Sequence, residues 1–189
     1  MTDLAASRVL AIVSNLGVEQ DDLKLPVEHL CNSGALVSIA APKLGSVHTL
    51  VDGRSGENWV ADQTLDEVSE HSYDLLLVPD GTVNSDLLRT NLCAQRIAHV
   101  FAATHKTVAA IGHAPWLLAS SKLLNGKSLT SSQSIRPDLE NAGGNWVDEP
   151  VITCNTLEWR LITSRGQEDL SFFIETIDAT LSKLSDSRH

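Results

Sequence analysis

Short apolar runs rich in β-branched residues alternate along this chain with stretches of helical period, and that alternation narrows its possible folds more than any other feature. Runs at 9–13, 36–40, 75–78 and 108–111 are too short for helices and end in turn residues, so each reads as a buried strand. Leu23, Val27, Leu30 and Cys31 recur at helical spacing, and Gly34 closes that helix. Residues 43–64 are rich in Gly, Ser and Asp and read as a hairpin or irregular excursion, followed by a short helix at 65–68. A long helix is expected over about 84–104, with Asn84 or Ser85 as its N-cap. Pro115 suits the first turn of a helix at 116–121. A short strand near Leu129, a helix at 137–142, strands at 151–152 and 161–162, and an amphipathic helix at 170–184 complete the chain.

Strands alternating with helices predict a doubly wound, mostly parallel α/β sheet with helices on both faces, flavodoxin-like in plan. At 189 residues the expectation is a single domain over 1–189. The longest apolar run, 9–13, is far short of a membrane span. The opening Met1-Thr2-Asp3 shows no secretory pattern, so the expected address is the cytoplasm, with no membrane partner. A net charge of -10 would repel a phosphate backbone, so no nucleic-acid partner is expected. Three widely spaced cysteines, Cys31, Cys93 and Cys154, form neither a C-x-x-C pair nor an even disulfide set. Aromatics are 4% of the chain, too few for a stacking platform, and the four tryptophans read as core or interface fillers.

In a doubly wound sheet, ligands bind beyond the carboxyl ends of the strands. Four segments follow strand ends here: Gly17-Val18-Glu19, Pro79-Asp80-Gly81, Gly112-His113-Ala114-Pro115 and Ser164-Arg165-Gly166. Their convergence would gather two carboxylates, an imidazole and a helix N-terminus.

Five ordered segments resemble the ThiJ/PfpI family, over about residues 8–184. They are G-V-E-Q-D-D-L after the first strand, Y-D-L-L-L-V-P-D-G, A-I-G-H-A-P-W-L-L-A-S-S-K-L-L-N-G-K, S-I-R-P-D-L-E-N-A-G-G-N-W-V-D and L-I-T-S-R-G-Q-E-D-L. The resemblance implies a class I glutamine amidotransferase-like fold, a homodimer or higher homo-oligomer, and peptidase, amidase, glyoxalase or chaperone-like roles. It implies a cysteine nucleophile at the position held by Gly112, with His113 beside it. It also implies a protonated acid at Glu19 and oxyanion donors from the turn at Asp80, Gly81 and Ala114.

The departures from that pattern matter most. Gly112 removes the thiolate, although glycine keeps the sharp turn of a nucleophile elbow at little steric cost. Asp80 stands in a turn where the family has glycine. It reads as an outward-facing turn aspartate, with an inward carboxylate, which would repel an anionic intermediate, left open as the alternative. The family's partner-pairing glutamate falls near Ser85, beside Asp86. Loss of the cysteine is expected to open room for a water or small carboxylate at the helix N-terminus over 113–116.

The reading is therefore a non-catalytic, stress-associated protein that binds a small molecule, with no cofactor and no metal. A bound metal cation on Glu19, Asp80 and His113 stays open as an alternative. So does general acid/base chemistry by a hydrolase or lyase working through those residues. Transcription-linked sensing is weaker, since the chain has no room for a DNA-binding domain. No serine nucleophile is expected, because Ser120-Ser121 and Ser131-Ser132 lie outside a G-x-S-x-G context.

Overall fold

A computed structural model describes residues 4–186. Met1–Asp3, on which the expectation about a leader rests, and His189 lie outside the described residues. The chain runs β1 (Arg8–Ile12), β2 (Leu16–Glu19), α1 (Gln20–Asn32), β3 (Leu36–Ala41), β4 (Gly45–Val51), β5 (Arg54–Ala61), β6 (Gln63–Thr64), β7 (Leu75–Val78), α2 (Thr82–Arg89) and α3 (Leu92–Ala103). It continues through β8 (Thr107–Ile111), α4 (Pro115–Ser120), β9 (Ser128–Leu129), α5 (Arg136–Asn141), β10 (Asn145–Trp146), β11 (Val151–Cys154), β12 (Arg160–Ser164) and α6 (Leu170–Asp186).

Seven strands form the central sheet in the order β11-β12-β8-β7-β1-β3-β6. Every pairing is parallel except β11 with β12. The chain starts at β1, steps to β3 on one side, then crosses to β7 and β8 on the other. That reversal opens a crevice beyond the carboxyl ends of β1, β7 and β8.

Strand residues alternate between two apolar layers, as a period of two requires. Leu10, Ile12, Leu76, Val78, Val108 and Ala110 face one layer with Phe101 and Ile97 of α3 and Leu117 of α4. Val9, Ala11, Leu75, Leu77, Ala109 and Ile111 face the other with Leu23 and Leu30 of α1 and Phe173 and Leu181 of α6. Both faces of the sheet are covered, so its strands are apolar throughout. Among the described residues no helix is long and apolar enough to cross a membrane.

Local expectations fail in four places. The long helix at 84–104 is two helices broken at Thr90-Asn91, because the Asn91 side chain accepts from the N–H groups of Cys93 and Ala94 and starts a new helix. Neither Asn84 nor Ser85 caps α2, which begins after Gly81. Residues 65–68 form a turn, with a 3₁₀ turn following at Glu70–Ser72. The polar segment after the first strand contains β2, which joins the β4–β5 hairpin in a separate three-stranded sheet.

Asn84 has a different task. It is fully buried, its Oδ1 accepts from the Ser14 N–H at 2.7 Å, and its Nδ2 donates to the Pro79 carbonyl at 3.1 Å. It ties the end of β1 to the end of β7. Asn84→Ala is expected to cost about 2–3 kcal/mol by leaving both backbone groups unpaired, readable as a lower urea midpoint with an unchanged slope.

Candidate functional site

Residue 112 follows β8 in the left-handed region, with φ +64°. Glycine takes that conformation readily. A Cβ at this position would lie 1.8 Å from Asp80 Oδ2 and 2.1 Å from Asp80 Cγ. The space a nucleophile's side chain would need is filled by the chain's own carboxylate.

Asp80 is held there firmly. Its Oδ1 accepts from the N–H of Gly81 at 2.6 Å and the N–H of His113 at 2.8 Å. His113 Nδ1 lies 3.0 Å from the same oxygen. The outward-facing reading of Asp80 is overturned, because three donors converge on the inside of the turn. The room expected beside Gly112 is closed for the same reason. Gly81 allows the approach: its φ is +127°, and a Cβ there would stand 2.1 Å from the Gly17 carbonyl oxygen.

One of the expected oxyanion donors, Ala114, is not placed as such. The Ala114 N–H donates to the Ile111 carbonyl at 3.0 Å, inside the turn. The inward N–H groups are those of Gly81 and His113, and both are taken by Asp80. The start of α4 is likewise closed, since the Trp116 N–H donates to the His113 carbonyl at 3.0 Å.

His113 bridges Asp80 to a residue with no sequence signal. An ionised carboxylate only accepts, so Nδ1 carries the proton toward Asp80. His113 Nε2 then accepts from the Ser134 hydroxyl at 3.1 Å, and Ser134 Oγ sits 3.0 Å from Ser132 Oγ. Ser85 is buried with its hydroxyl unpaired among the described residues, and Asp86 is exposed. Neither reaches His113 within this chain.

A second acid stands beside Glu19. Glu19 is half-buried, and burial, then the charges of Asp80, Asp52 and Asp21, raise its pKa. Asp22, in the first turn of α1, is only 2% exposed. Burial first, then Asp80 and Glu19, push its pKa up to about 8. Both carboxyls are thus shifted toward the protonated form, with Asp22 the more deeply buried of the two. It follows Glu19 by three residues, a spacing that puts both on one side of a starting helix. That spacing was the available signal.

Glu19, Asp22, Asp52, Asp80, His113 and Gln167 line a cavity of about 230 Å³. Asp52 comes from the tip of the β4–β5 hairpin, where Asp52 and Gly53 both have positive φ, +50° and +73°. That pair forms the Asp-Gly turn whose twist suits two joined strands. A neighbouring cavity of about 410 Å³ shares Asp80 and Gln167 and reaches Arg165. There Arg165 donates to both Asp169 oxygens, at 2.7 and 3.1 Å, and to Asp148 at 3.1 Å. Cys31 and Cys93 lie in α1 and α3, and Cys154 ends β11 rather than following it. Among the described residues no cysteine lines either cavity. Nor do three His, Cys, Asp or Glu side chains gather there closely enough to hold a metal ion.

The pattern of the DJ-1/PfpI family matches residues 7–179 of this chain. General stress protein 18 of Bacillus subtilis (strain 168) is 31% identical over 175 residues, covering 92% of this chain and 98% of that protein. Deglycase PfpI of Pyrococcus furiosus is 33% identical over 152 residues, covering 80% of this chain and 86% of that protein. Among solved structures, Drosophila melanogaster DJ-1beta superposes with a TM-score of 0.83 at 26% identity, covering 93% of this chain and 90% of that one.

Proposed function

The chain belongs to the DJ-1/PfpI family, and from that premise we propose that it has given up thiol chemistry and acts as a stress-associated protein that binds a small molecule. One observation carries this reading: the Asp80 carboxylate stands where a side chain at 112 would be and holds the Gly81 and His113 N–H groups. The family likeness to general stress protein 18 supports the stress association. The reading takes 1–189 as one domain with a cytoplasmic address, no nucleic-acid or membrane partner, and assembly as a homodimer or higher oligomer, the commonest kind of soluble assembly.

The test is methylglyoxal consumption by the metal-free protein and by the double variant Asp80→Gly/Gly112→Cys. The wild type is expected to be silent and the double variant to turn substrate over, because removing the carboxylate frees both N–H donors and the space for a thiol. Turnover by the wild type would sink the reading.

A second reading, a hydrolase or lyase using Glu19, His113 and Asp80, draws on one observation. The chain Asp80–His113–Ser134 aligns a carboxylate, an imidazole and a hydroxyl at 3.0 and 3.1 Å. Wild-type turnover that vanishes in Glu19→Gln, with folding intact, would put this reading in place of the first.

A further inference from the structure

We infer that the carboxylate-lined cavity beside Gly112 binds a small organic cation, an alkylammonium or guanidinium group. The inference rests on the binding reading above and names the class of its ligand.

Asp22 supplies the observation that points to a ligand. Its side chain is 98% buried against the cavity, and its Oδ1 has no hydrogen-bond partner among the described residues. A buried acceptor left unpaired costs free energy that a donor entering the cavity would recover. Carboxylates face that space from three directions: Glu19 at the end of β2, Asp52 at the hairpin tip and Asp80 after β7. Thr82 and Gln167 add neutral polar groups, and among the described residues no Lys or Arg lines the cavity.

The donors that would have welcomed an anion are satisfied from within, because Asp80 holds the Gly81 and His113 N–H groups. The remaining lining is dominated by carboxyl groups, and the net charge of -10 draws cations toward it. Among the described residues the acidic side chains do not close round a point as a metal ion would need. A guanidinium, with N–H groups spread around a plane, serves separated oxygens instead.

Asp22 is faced by Glu19 from β2, Asp21 from its own helix, Asp80 from the loop after β7 and Glu168 from the 3₁₀ turn before α6. With so many like charges around it, Asp22 gives up its proton most easily when a cation arrives. Binding therefore releases a proton.

The test is calorimetric titration of the full-length protein with methylguanidinium, which stays charged throughout, beside neutral methylurea and anionic acetate. Methylguanidinium alone is expected to bind. Its affinity is expected to rise by about tenfold per pH unit up to about pH 8, then level off. Asp22→Asn is expected to weaken binding and flatten that pH dependence. Asp52→Asn keeps a turn of the Asn-Gly type that hairpins favour, so it should fold as the wild type does and bind a few-fold more weakly. Equal binding of acetate or methylurea, no binding of methylguanidinium by folded protein, or an unchanged pH profile in Asp22→Asn would each overturn the inference. Failure here leaves the loss of thiol chemistry untouched, since methylglyoxal consumption decides that separately.

Discussion

Gly112→Cys made alone is expected to destabilise the protein by about 2–5 kcal/mol, and Asp80→Gly added to it is expected to recover part of that loss. Two effects combine in the single variant. A Cβ at φ +64° has a left-handed conformation to bear, at about 1–2 kcal/mol. It also meets Asp80 Oδ2 at 1.8 Å, which forces the carboxylate away from the three groups that hold it. Overpacking of that kind costs about 1–3 kcal/mol. Asp80→Gly removes the clash and leaves the backbone cost together with the loss of the hydrogen bonds that Asp80 accepts. Urea unfolding of the wild type, both single variants and the double variant closes a thermodynamic cycle. A coupling free energy near zero would show that the two positions do not compete for one space.

Asp22→Asn is expected to act in the opposite direction at alkaline pH. The Asp22 carboxyl has a pKa of about 8 in the folded protein against an ordinary 3.8. The folded state therefore holds its proton more tightly than the unfolded state. The stability this contributes is fully present below about pH 4, is lost progressively as pH rises, and is gone above about pH 8. Asparagine never ionises, so the variant is expected to lack that decline and to exceed the wild type by a few kcal/mol at pH 8. Thermal unfolding from pH 4 to 9 checks it. Parallel curves for the two proteins would refute the assignment of a raised pKa to Asp22. A cavity that weakens the fold in this way fits a binding site, where stability is commonly given up for function.

The sheet was legible because it is buried on both faces, so its strands are unbroken apolar runs that period and length separate from helices. The break at Asn91 was not legible. The apolar period continues across it, and only the side chain's bond to two N–H groups shows that the helix restarts. β2 was hidden because its neighbours β4 and β5 lie outside the main sheet. That the segments after β1, β7 and β8 would meet followed from a doubly wound plan, and the family resemblance marked Gly112 as the position of interest. The direction of Asp80 did not follow. Turn aspartates point either way, and here the choice depends on the absence of a Cβ more than thirty residues away in sequence. Ser134 reached His113 through a 3₁₀ turn that no spacing rule links to β8.

The tenancy of Asp80 also orders the history this site can have. On the reading that thiol chemistry was given up, Gly112→Cys made alone is the strained step back. Removing Asp80 first avoids that strain, but a chain with glycine at both positions holds neither the carboxylate nor the thiol. On that reading reversal runs through an intermediate that is either strained or has nothing for selection on this site to keep, so the pair works as a ratchet. Any engineering effort to revive the chemistry meets the same order of events.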